Sequence, residues 1–170
     1  MTDQATFGRL CLDLANEAGW NTSDLSVGSA LHLFSKSDRP DEPDLPITIE
    51  LCDGSPAVSL TANLGAVPRD QRGQVYADLL AASLFPTDLD LAYALETVTE
   101  KVVLRAVVPL VDLAVKPLSG FLVRLVTIAR DRQRSFSEEL PTSYPSSVPE
   151  ASIAENHLGA LFRLAPSGVA

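Results

Sequence analysis

The spacing of apolar residues along this chain switches repeatedly between the 3.6-residue period of a helix and the two-residue period of a strand. The order of those switches constrains the fold more than any other feature of the sequence. Phe7, Leu10, Cys11, Leu14 and Ala18 fall on one helical stripe, which predicts a helix over residues 3–18 stopped by Gly19. Ala30–Ser35 reads as a strand, followed by the polar, proline-flanked loop SKSDRPDEPD. Ile47, Ile49 and Leu51 then alternate with Thr48, Glu50 and Cys52, and the turn dipeptide Asp53-Gly54 leads into Val58, Leu60 and Ala62. Pro68 opens a second helix, expected to run to about Leu84 and to stop at Pro86, with Val75, Tyr76, Leu79, Leu80 and Ser83 along its stripe. Gly73 inside it has two readings, a close approach by another backbone or a neutral residue near the first turn. Two further strands follow, Leu91–Glu96 and Val102–Val108, with Pro109 either ending the latter or sitting at its edge. Lys116-Pro117 begins a third helix with Leu118, Phe121, Leu122, Leu125, Ala129 and Phe136 in phase.

The order αβββαββα predicts a two-layer α+β domain over residues 1–136, an antiparallel sheet of about five strands with three helices. A sheet covered on one side is expected to leave a partly apolar open face and at least one edge strand without partners, and both invite another chain. Residues 137–170 differ. ELPTSYPSSVPE reads as a Pro/Ser-rich linker, and the apolar positions Ile153, Leu158, Leu161, Phe162 and Leu164 read either as a short docking helix or as an unstructured tail.

Charge narrows the function classes. The chain carries a net charge of −9, yet residues 101–136 hold 7 bases against 2 acids. An acidic body argues against nucleic acid, and Arg130, Arg132 and Arg134 read as a solvated helix end opposing the helix dipole. No apolar run approaches the roughly 20 residues that span a bilayer, and the amphipathic start is unlike a secretion signal. Cys11 and Cys52 match no metal spacing, and Cys11 lies in an apolar stripe, where a buried thiol is expected. His32 and His157 are the only histidines, and no catalytic motif surrounds either. No catalytic residue, metal or cofactor is therefore expected.

The run VYADLLAASLFPTDLDLAYALETVTEKVVLRAVVPLVDL, followed by PLSGFLVRLVTIARDRQRSF, resembles the second helix, the hairpin, the proline-leucine exit and the last helix of the class I type III secretion chaperones of Gram-negative bacteria. The resemblance covers residues 3–136. It implies a cytoplasmic homodimer that binds the N-terminal region of a secreted effector in extended form, without nucleotide hydrolysis. Carried over, it makes Val75, Tyr76, Leu79, Leu80 and Ser83 the dimer candidates. The effector-binding candidates are Phe7, Leu10, Leu14, Leu33, Ile47, Ile49 and Leu51, with a place in the protomer's own core as the alternative for each. Family members end soon after the third helix, so the tail is a departure, and Ile153–Leu164 is expected to occupy a partner groove when no effector is bound. Two other readings stay open. One is a regulator of the export apparatus that binds several effectors or an export ATPase; the other is a small α+β ligand-binding domain with an enclosed polar pocket.

Overall fold

The computed structural model describes residues 3–21, 28–37, 39–40, 42–83, 91–96, 99–137 and 161–164. The expected helix stop at Leu84–Pro86, His157, the linker and the reading of residues 151–160 lie outside them. The elements are α1 (Asp3–Ala18), β1 (Ala30–Ser35), β2 (Leu45–Leu51), β3 (Ala57–Ala66), α2 (Arg72–Ser83), β4 (Leu91–Glu96), β5 (Lys101–Pro109), the single turn α3 (Leu110–Leu113), α4 (Leu118–Ser137) and β6 (Phe162–Leu164). The α+β class and the order αβββαββα hold, with α3 and β6 added.

One antiparallel sheet runs β4-β5-β3-β2-β1-β6. The β2–β3 hairpin closes at Asp53-Gly54, where Gly54 takes the left-handed conformation (φ 70°) that a residue without Cβ adopts freely. β2 begins two residues before its alternating run, at Leu45, and so includes Pro46. The proline is tolerated because it pairs with Phe34 of β1 but lies beyond Ile47, where pairing with β3 starts. β3 is bulged between Asn63 and Gly65, and Gly65 (φ 93°) receives the Asn63 side-chain oxygen on its N–H at 3.0 Å. α2 starts at Arg72 rather than Pro68, because Pro68–Gln71 forms a separate turn closed by the Gln71 N–H on the Pro68 carbonyl at 3.1 Å.

The helices supply the second layer: α4 lies against β3 and β5, α1 against β2 and α4, and α2 against β4. The sheet residues that face them (Leu33, Ile47, Ile49, Leu60, Leu104) form one core with Phe7, Cys11 and Leu14 of α1 and Leu122, Leu125 and Ala129 of α4. The open face is polar along its middle and apolar in part. The cross-strand row His32, Thr48, Thr61 and Arg105 runs through its middle. His32 Nδ1 and Thr48 Oγ1 share a hydrogen bond at 3.1 Å, and Arg105 Nε donates to Ser59 Oγ at 2.8 Å. Apolar surface on this side comes from Phe34, Val103 and Val107. Gly73 is clear of its surroundings: a Cβ built there meets nothing within 4 Å, which removes the close-approach reading.

Candidate partner-binding site

The two ends of the sheet are built differently. At one end the edge of β1 is taken, over half its length, by the chain's own tail. Ser35, Phe34 and Leu33 pair with Phe162, Arg163 and Leu164, and the Lys36 N–H donates to the Leu161 carbonyl at 2.8 Å. Strand alternation sends Phe162 to the helix side, where it is 2 % exposed, and Leu164 to the same side beside Leu33. Arg163 points to the open face, with its guanidinium 5.3 Å from the Phe34 ring centre and ion-paired to Asp44 at 2.5 Å. A half-open groove of about 220 Å³ continues from Phe162 between the end of β1 and α4, bounded by Lys36, Val126, Arg130, Arg134 and Leu161.

Two of the arginines that the sequence placed on a solvated helix end, Arg130 and Arg134, build this corner instead, while Arg132 turns to β4. Arg130 is 6 % exposed and donates to the carbonyls of Ser35 and Pro43, both at 2.6 Å, and to Gln133 Oε1 at 3.0 Å. A guanidinium can serve several acceptors at once because its N–H groups form a planar fork, so one side chain fastens α4 to both β1 and the β1–β2 loop. Arg134 Nε donates to Glu42 at 2.6 Å, and Ser37 Oγ donates to the other Glu42 oxygen at 2.6 Å. Those two hydrogen bonds, Arg134 first, hold the Glu42 carboxyl down at about 2. Arg132 Nε reaches the Tyr93 hydroxyl at 3.2 Å. The signal in the sequence was the position of Arg130 next to Ala129 on the apolar stripe, a place where a cation needs buried acceptors.

The other end of the sheet is β4 with α2 beside it. Ser83 Oγ donates to the Leu79 carbonyl at 2.9 Å and accepts the Tyr93 N–H at 3.2 Å, which ties the end of α2 to the edge strand. Leu80 of α2 is 67 % exposed and Leu95 of β4 is 43 % exposed. Of the dimer candidates, Val75 and Leu79 are buried in the protomer, Tyr76 and Ser83 are half-buried, and Leu80 faces outward. Of the effector-binding candidates, Phe7, Leu14, Leu33, Ile47 and Ile49 are sealed in the core, while Leu10 and Leu51 keep some exposed surface. Most of the stripe residues thus lie inside the protomer, and the exposed large apolar side chains among the described residues are Leu12, Leu80, Leu95, Val107, Val111 and Val115.

Burial pushes the Cys11 thiol up to about 12, and His32 lies on the open face. Among the described residues no group of three or more metal-ligating side chains occurs, and no helix is long and apolar enough to cross a membrane.

No family model matches the chain, and no curated protein matches it. Its architecture is nonetheless a known one. A chain in the crystal structure of the ExsC–ExsE complex superposes on it with a TM-score of 0.61 at 20 % sequence identity. The match covers 85 % of this chain and 100 % of that one. At this identity the likeness is one of fold.

Proposed function

We propose that the chain is a non-enzymatic, homodimeric chaperone that acts in the cytoplasm of a Gram-negative bacterium and binds the N-terminal region of a secreted effector in extended form. The observation that carries this reading is the likeness, over the whole length of the neighbour, to a chain from a two-protein complex. The β1 edge supports it, because it accepts an extended segment in antiparallel register with alternating side chains seated on either face. Binding of that kind needs no energy source: a partner held by mass action in a non-aggregating form is depleted from its aggregating pool. The net charge of −9 suits a carrier that keeps apolar segments of another chain in solution. Dimerisation through the α2–β4 end, with Leu80 and Leu95 in the contact, leaves the β1 edge of each protomer accessible.

The test is co-expression of the tagged full-length chain with each secreted protein encoded beside it, followed by size exclusion with light scattering. The expected result is a dimer that co-purifies with one such protein and raises its soluble yield. A strict monomer at micromolar concentration that retains none of them would overturn the reading.

A further inference from the structure

The tail strand is a poor structural element and a good ligand. It pairs through three residues, whereas β2 on the other side of β1 pairs with all six, Ala30 to Ser35. Among the described residues, the outer ladder of β1 is taken only at Leu33, Phe34 and Ser35. The residues next in sequence, Ala165-Pro166-Ser167-Gly168, offer no large apolar side chain and, at Pro166, no N–H for a ladder. The three paired residues nonetheless fill specific seats: an aromatic ring under α4, a guanidinium between Phe34 and Asp44, and a leucine beside Leu33. The groove that runs on from Phe162 past Lys36 and Val126 leaves room that Leu161–Leu164 do not fill.

We propose that Phe162–Leu164 is an intramolecular competitor at the β1 edge, a stand-in for a partner's extended segment of apolar–basic–apolar pattern that must displace it to bind. The identity of the displacing segment as part of a secreted effector rests on the chaperone reading above; the exchange itself does not. The strand and α4 belong to one chain, so the pairing is intramolecular and a partner competes with it at the strand's effective concentration. A three-residue ladder is weak enough to open under those terms and strong enough to tax a competitor. With the edge free about one tenth of the time, a partner's apparent dissociation constant rises about tenfold. A partner strand that pairs along all of Ala30–Ser35 recovers that factor through the ladder positions that the described tail residues do not take.

The probe is a fluorescent peptide of residues 158–167 of this same chain, titrated by anisotropy with full-length protein. We expect the peptide to bind the Phe162→Ser protein about tenfold more tightly than the wild type, and Arg163→Glu to give a smaller gain in the same direction. A peptide whose own arginine is replaced by glutamate should lose affinity for the Arg163→Glu protein and regain it on an Arg163→Glu/Asp44→Arg protein, a charge reversal that a purely structural strand would not reproduce. Arg163 is exposed, so Arg163→Glu decides the matter if Phe162→Ser fails to fold. Equal affinity for wild type and variants, or no binding to a folded variant, overturns the exchange. Neither result touches the chaperone reading, which stands or falls on the co-purification measurement.

Discussion

Replacing Arg130 with methionine tests the account of how α4 is held to the sheet. The substitution keeps an unbranched apolar stem of similar reach and removes every donor, so the carbonyls of Ser35 and Pro43 lose the guanidinium that now satisfies them at 2.6 Å. Hydrogen bonds from a charged donor contribute about 1.5–3 kcal/mol each, and two of them at the low end give about 3 kcal/mol. For a chain of this size that corresponds to a fall in Tm of about 6–12 °C. The assay is thermal and urea unfolding of both proteins at one fixed protomer concentration, since the Tm of a dimer of the proposed kind depends on concentration. Arg9→Met on the exposed side of α1 is the control and should lie within about 0.5 kcal/mol of wild type. Arg130→Lys should fall between, because one ammonium cannot reproduce the planar fork. An Arg130→Met protein as stable as the Arg9→Met control would refute the reasoning and return Arg130 to the solvated helix end.

Three further outcomes follow from particular side chains. Glu42 is held at about 2 in the folded chain, below the ordinary carboxylate value, so its contribution to stability is complete above about pH 4.5 and lost as the pH falls toward 2. The Glu42→Gln protein should therefore show a flatter dependence of Tm on pH across that window, and identical profiles would contradict the ion pair with Arg134. On α2, Leu79→Ala should cost about 2–5 kcal/mol because the side chain is buried, whereas Leu80→Asp should leave monomer stability almost unchanged and abolish the dimer by light scattering. Gly73→Ala should stabilise the chain by about 0.5–1 kcal/mol in urea, since its Cβ enters open space in the first helical turn.

Much of the fold was legible because local periodicity reports local geometry. The stripe from Phe7 to Ala18, the stop at Gly19 and the alternation of Ile47, Ile49 and Leu51 each correspond to an element of the structure. The same periodicity does not by itself separate contact residues from core residues. A stripe says which side chains turn inward, and Phe7, Leu14, Leu33, Ile47 and Ile49 turn into the protomer itself. Val75 and Leu79 each lie one position from a more exposed residue of the same helix, Tyr76 and Leu80, and the helix stripe alone does not separate them. The cluster of arginines was misread for a related reason. Three cations in five residues look like a solvated terminus until the acceptors at Ser35, Pro43, Glu42 and Tyr93, remote in sequence, are brought to them.

The sequence by itself determined the order of helices and strands, the α+β class, the positions of the tight turns and the acidic character of the surface. These depend on neighbours within a few residues, where the choice between periods of two and 3.6 is made. Only the tertiary structure decided that Phe162–Leu164 joins the sheet, that β1 rather than β4 carries the tail, and that Arg130 is buried. Those facts rest on contacts between residues about 90 to 130 positions apart, whose free energy appears only when the chain has closed, and no local pattern encodes which edge a three-residue strand will meet.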